Sequence, residues 1–247
     1  MLTLARLVRS QHGGPPAFLV VVVVGNAMKW LTVVATVLTV AALPFTGRVL
    51  WVAYGPVGDS PVAQLRYLDT ALHDGGAQQM QGLFPEGELF TWVLTGVAAG
   101  RVAQDQHVSA TDRAFARDLA ERALAAVDQP AVSARFGLSV QTPGELEHGV
   151  FYRGWRLTLL NEIATWDPDA AERAATEAAA ILAAVDANPT GWLQAYPDQR
   201  WPCDTVVALA AAAAADPQAA APVVARWLAR TGAAVDPATG MLSHRVY

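Results

Sequence analysis

Three segments concentrate groups able to do chemistry in a chain whose helices are otherwise bland and alanine-rich. The richest is Trp192 to Leu209, WLQAYPDQRWPCDTVVAL. Pro202-Cys203-Asp204-Thr205 opens an apolar helix there. A cysteine at a helix N-terminus meets the positive end of the dipole, which lowers a thiol pKa. Asp198 and Asp204 bring carboxylates close, and Trp192, Tyr196 and Trp201 supply aromatic walls for an apolar or sugar-ring ligand. The other reading of this segment is a buried structural cysteine with Asp204 as a helix cap.

The second segment, ELEHGVFYRGW, carries Glu145, Glu147, His148, Tyr152, Arg153 and Trp155. His148 and Tyr152 stand four apart and share a helix face, and a histidine beside a carboxylate can act as a general base. Its alternative is a helix start whose acids cap the first turn. The third segment is His73-Asp74, then Gln78 and Gln79, then LFPEGELF with Glu86 and Glu88. Glu88 suits the dipole at a helix N-terminus, whereas Glu86 and His73 remain open to a role in a site. The expected catalytic set is therefore Cys203, Asp204, Asp198, His148, Tyr152 and Glu86. The expected substrate contacts are Trp155, Trp192, Tyr196, Trp201, Glu147 and His73. One cysteine and scattered histidines lack ligand spacing, so no metal and no cofactor is expected.

The elements that position these groups read as helices. From Pro61 onward, apolar residues recur at helical spacing and Gly/Pro loops punctuate them. The spacing predicts helices over Pro61–His73, Glu88–Gln104, Thr111–Val127, His148–Thr165, Pro168–Ala184, Cys203–Ala215 and Pro217–Thr231, and a long loop over Asp128–Glu147. Asp-Pro pairs at Asp167-Pro168 and Asp216-Pro217 mark helix starts. No strand is expected. Short loops on one side and long aromatic-polar loops on the other suit stacked α-hairpins or an (α/α) toroid, in which functional residues collect on the long-loop face.

Composition sets the surroundings. Hydrophobic residues make up 53% of the 247 and charged residues 16%, too apolar for disorder. The net charge of −5 and the absence of a basic cluster give no electrostatic footprint for nucleic acid. Ala17 to Leu43 is a 27-residue apolar run, interrupted by Lys29, and rises about 40 Å as a helix, enough to cross a bilayer with tilt. Insertion of Lys29 at the centre costs about 2.5–3.5 kcal/mol, which the apolar flanks outweigh. Arg6 and Arg9 precede the run and Arg48 follows it, so the expected topology is a single-pass cell-membrane anchor with the helical domain outside the cytoplasm. A second placement of the span, from Trp30 toward Val52 with a kink at Pro44 and Gly47, and a cleavable signal peptide are the competing readings. The expected organisation is 1–16 cytoplasmic, 17–43 transmembrane, 44–60 linker and 61–247 helical domain.

From residue 151 to 244, the order FYRGWRLTLL, a helix, NPTG, YPDQRWPCDTVVAL, a further helix and DPATGMLSHRVY resembles the linalool dehydratase/isomerase family of (α/α) six-hairpin toroids. The resemblance lies in order and spacing more than in identity. It implies a site built from two loop cysteines, a histidine and an aspartate that protonate, dehydrate or isomerise a terpene alcohol. Cys203 matches the cysteine that opens the helix. Gln194-Ala195-Tyr196 stands where the earlier loop cysteine belongs, and Trp155 where the histidine belongs. Asp69 or Asp74 would be the aspartate. The expectation is thus a membrane-anchored partial toroid with an incomplete lyase/isomerase set acting on a terpenoid or other small alcohol. A carbohydrate-active toroid and a non-catalytic binding scaffold are the alternatives. A six-hairpin ring needs about twelve helices and the sequence suggests about seven, so a longer chain, a second copy or a partner is expected to complete the ring.

Overall fold

The computed structural model describes residues 60–138, 144–232 and 234–242, all within the unit Asp59–Tyr247. The expected anchor at 17–43, and the segments on either side of it up to residue 59, lie outside the described residues. No helix among the described residues is long and apolar enough to cross a membrane.

The described chain is all-α. Its helices are α1 (Pro61–His73), α2 (Gly76–Gln81), α3 (Gly87–Gln104), α4 (Ala110–Val127), α5 (Pro130–Ser133), α6 (Gly149–Ile163), α7 (Pro168–Ala187), α8 (Pro202–Ala215) and α9 (Pro217–Gly232), with a 3-10 turn at Ala134–Phe136. Local chemistry fixes four of the nine starts. Ser60 and Ser109 accept hydrogen bonds from the amides of Ala63 and Asp112. Asp167 accepts from the amide of Asp169 ahead of Pro168, and Asp216 accepts from the amides of Gln218 and Ala219. These bonds satisfy donors that the first helical turn cannot pair internally.

Consecutive helices pack as hairpins, α3 on α4, α6 on α7 and α8 on α9. Within the stack, α6 lies between α3 and α8 and packs on both. Helix α4 backs α3 and α6, while α7 backs α6 and α8. Small residues allow close approach: a Cβ on Gly154 would stand 2.9 Å from the Cα of Ala208, so α6 and α8 nearly touch backbone to backbone. Asn161 Nδ2 donates across the same seam to the carbonyl of Ala211 at 2.8 Å. One continuous core runs through the unit, with Leu89, Leu119, Leu157, Leu160, Ile163 and Ile181 fully buried.

Two elements differ from the sequence expectation. The expected Asp128–Glu147 loop contains α5 and the 3-10 turn, and α2 forms where glycines suggested only a turn. In the first case tertiary burial decides. Phe136, 2% exposed, docks against Phe151 and Tyr152 at 5.6 Å each, and no periodicity in so short a segment announces it. In the second, Gly75 adopts φ 81° and starts a six-residue helix that buries only Ala77, too little for an apolar pattern.

Helix α6 begins under a chain crossing. Gly149 has φ +71°, and a Cβ there would lie 2.5 Å from the carbonyl oxygen of Ala195. Both the left-handed backbone and the contact exclude a side chain. Gly149→Ala is therefore expected to destabilise the unit by roughly 2–4 kcal/mol. The midpoint of chemical unfolding, at unchanged m-value, measures this.

Candidate active site

Four pieces of chain converge on a cavity of about 640 Å³: Pro85 and Glu86 before α3, Phe151 in the first turn of α6, Tyr196, Pro197, Gln199 and Trp201 of the α7–α8 connection, and Cys203 and Asp204 in the first turn of α8. The connection is held from beneath. The Glu145 side chain, 2% exposed, accepts from the Gln194 amide at 2.8 Å and from Arg200 Nη2 at 2.9 Å. Arg200 Nε donates to the carbonyl of Trp192 at 3.0 Å, and the Val150 amide donates to the carbonyl of Gln194 at 2.8 Å. Trp192 is buried edge-to-face on Trp227, centroids 5.3 Å apart. Above this clamp, Tyr196-Pro197-Asp198-Gln199 turns tightly, the Gln199 amide donating to the Tyr196 carbonyl at 3.0 Å. Pro197 occupies the second position, and Asp198 the third with φ 58°, the pattern of a type II turn.

Two polar pairs face the cavity. The Tyr196 hydroxyl donates to Glu86 Oε1 at 2.6 Å. Burial raises the phenol pKa, and the bond to the Glu86 carboxylate raises it further. Cys203 Sγ donates to Asp204 Oδ1 at 3.6 Å. Partial desolvation pushes the thiol up, and the Asp204 charge adds to that. The expectation of a thiol lowered by the helix dipole is thus reversed: a carboxylate one residue away and the cavity wall outweigh the helix end. Near neutral pH the cavity presents a protonated thiol and a protonated phenol, each beside a carboxylate group.

Cys203 is the only cysteine in the chain and is exposed, so its state is directly measurable. Because the thiolate is the reactive form, iodoacetamide is expected to alkylate the native chain several-fold more slowly at pH 8 than the urea-unfolded chain. The sign follows from the raised pKa, which keeps the native thiol protonated at pH values where the unfolded thiol has begun to ionise. Asp204→Asn should narrow the difference. Equal rates in the native and unfolded chains would contradict this electrostatic picture.

No family model, curated protein or solved structure matches the chain.

Of the residues expected from sequence, Glu86, Tyr196, Trp201, Cys203 and Asp204 meet at the cavity. The others lie elsewhere. Asp198 is exposed at the tip of the Tyr196–Gln199 turn, its amide held by Gln194 Oε1 at 3.2 Å. His148 and Tyr152 line a separate cavity of about 420 Å³ with Asp128, Ser133, Arg153, Arg156 and Glu177. There His148 takes φ 64° at the start of α6, its Nε2 3.7 Å from Glu147. Tyr152 gives its hydroxyl to the carbonyl of Val127 at 3.1 Å, and burial pushes its pKa up to about 12, as in a core contact. Glu147 and His73 are solvent-exposed, His73 being 3.4 Å from Asp69 Oδ1 on its own helix. Trp192 is in the core, and Trp155 packs edge-to-face on Phe90 at 5.2 Å.

Sequence reasoning missed Pro85, Phe151, Pro197 and Gln199 of the lining and the clamping role of Glu145–Arg200. A signal for Phe151 existed. Phe151 and Trp155 are four apart, as His148 and Tyr152 are, and only tertiary packing decides which face of α6 meets the cavity. Glu88, expected to serve the helix dipole, is buried in the first turn of α3 and paired with Arg135 and Gln78. Among the described residues no group of three or more His, Cys, Asp or Glu is placed to hold a metal ion.

Proposed function

We propose that the cavity is an acid–base site for a small alcohol, acting as a hydro-lyase or isomerase. The observation that carries this is the shared cavity: Cys203–Asp204 and Tyr196, close together in the chain, and Glu86, 110 positions before Tyr196, line one largely apolar space. A protonated thiol, a protonated phenol and aromatic walls receive a neutral hydroxyl compound better than an anion, which two carboxylates repel.

The reaction balances within this set. The Cys203 thiol gives its proton to the substrate hydroxyl, and the C–O bond breaks to release water. Asp204 takes a proton from the adjacent carbon, whose electron pair forms the alkene. The proton then passes from Asp204 to the Cys203 thiolate, its hydrogen-bonding neighbour. Where the allylic cation left by C–O cleavage instead takes back water at another of its carbons, the added water gives its extra proton to the Cys203 thiolate and the isomeric alcohol forms. Tyr196, whose proton is held by Glu86, offers its phenol oxygen as an acceptor to the departing water. The (α/α) toroid architecture and an N-terminal tether at 17–43 with the domain outside the cytoplasm belong to the same proposal. They are supported by the stacked hairpins and by the 27-residue apolar run.

The test is to incubate the full chain in membranes with a panel of tertiary and allylic terpenoid alcohols and to follow alkene and isomer by gas chromatography. Formation of either, dependent on Cys203, supports the proposal. Inactivity on every alcohol combined with cleavage of aryl glycosides would replace it with a carbohydrate reading, for which Glu86 and Asp204 would be the carboxylate pair.

A further inference from the structure

The second cavity, of about 420 Å³, lies where the C-terminal end of α4, the short α5, and α6 and α7 come together. Its walls are charged. The Glu177 carboxylate, 8% exposed, accepts from Arg153 Nε through Oε1 and from Arg156 Nη1 through Oε2, the latter at 3.0 Å. Asp128 accepts from Arg156 Nε through Oδ1 at 2.6 Å and from Arg173 Nη2 through Oδ2. Three guanidinium groups thus share two carboxylates, and one positive charge is left over. Glu147 stands 3.7 Å from His148 Nε2 at the same end of α6, but it is 71% exposed and water screens it.

The unmet hydrogen-bonding capacity here is on the donor side. All four oxygens of Asp128 and Glu177 are taken by arginines. A guanidinium carries five N–H donors. Nη1 and Nη2 of Arg153 and Nη2 of Arg156 have no partner among the described residues, and neither does the Ser133 hydroxyl. Both arginines line the cavity and hold the same carboxylate, so their guanidinium groups are neighbours, only 19% and 16% exposed. His148, on the same wall, keeps its Nδ1 buried without a partner, a state that folded proteins seldom retain.

The geometry points to a binding site for a small monocarboxylate, its oxygens taken by the free nitrogens of Arg153 and Arg156 with the Ser133 hydroxyl as a further donor. A planar carboxylate matches the fork of a guanidinium. One surplus positive charge suits a monoanion, whereas a phosphate dianion would carry uncompensated charge into a partly desolvated site. The site is separate from the Cys203 cavity and does not rest on the chemistry proposed there.

The test titrates the full chain in detergent micelles with para-fluorobenzoate at constant ionic strength, followed by fluorine NMR. The neutral para-fluorobenzamide, of the same shape, accounts for partition into the micelle. Saturable binding of one benzoate per chain, and none of the amide, is expected. Arg153→Lys should weaken benzoate binding about tenfold, as the loss of one charge-assisted hydrogen bond supplies. It keeps a cation beside Glu177, so the unit should fold. Ser133→Ala, which removes a hydroxyl without a protein partner, should weaken binding several-fold. Near-ultraviolet circular dichroism checks both folds. Acetate should displace the benzoate at lower concentration than inorganic phosphate does. No saturable binding, equal binding of the amide, or a benzoate site indifferent to both variants overturns the proposal. Displacement by phosphate ahead of acetate overturns the assignment to a monocarboxylate.

Discussion

Arg200→Met should lower the stability of the helical unit by about 3 kcal/mol. The Glu145 carboxylate is 2% exposed and its strongest partner is the Arg200 guanidinium, 24% exposed. Removing one member of such a pair strands a charge that folding has taken out of water, and that penalty exceeds what the pair itself contributes. The value sits at the low end of the range for buried pairs because Arg200 retains some solvent and the Gln194 amide stays on Glu145. Guanidinium unfolding of the full chain measures the change. Pairing Arg200→Met with Glu145→Gln should recover part of the loss, because the stranded charge is then gone. A double-mutant cycle with no coupling would show that the clamp is not what seats the Trp192–Trp201 segment.

The second large effect is on turnover. Cys203→Ala and Asp204→Asn should each reduce the rate on an accepted alcohol about 10²–10⁴-fold, the range supplied by a positioned acid or base. Since both act in one proton circuit, the double variant should be hardly slower than either single one. Wild-type activity is expected to fall on the alkaline side, as the raised thiol pKa of Cys203 is passed and its donated proton is lost. Cys203→Ser, a weaker acid, should retain a small part of the rate and move that alkaline limb upward. Full activity in Cys203→Ala would remove the thiol from the mechanism.

The contrast between what sequence revealed and what it hid has a local explanation. Helix starts were readable because Ser60, Asp167 and Asp216 act within three residues of themselves. Cys203, Asp204, Trp201 and Tyr196 were readable as a group because they are close in the chain, and Glu86 because a loop acid has few structural duties. The face of α6 was not readable, since FYRGW offers apolar residues on two adjacent faces. Phe136 packs against Phe151 and Tyr152 alike, at 5.6 Å each, and the choice lies in how α6 as a whole packs on α3 and α8. The sign of the Cys203 shift failed for a related reason. Helix position is visible in sequence, whereas the depth of the cavity wall is not.

The hydrogen bond from Tyr196 to Glu86 joins residues 110 positions apart, and it carries a kinetic consequence. Hairpins such as α3/α4 close short loops and can form early, whereas this bond waits for a long loop to close at an entropic cost that grows with its logarithm. Formation of the site is therefore expected to follow that of the local hairpins. A chain with intact helical content can already be without its cavity, so helicity is a poor proxy for function in this protein. The phenol of Tyr196, returning toward an ordinary ionisation as it leaves Glu86, reports the moment at which the two parts of the site separate.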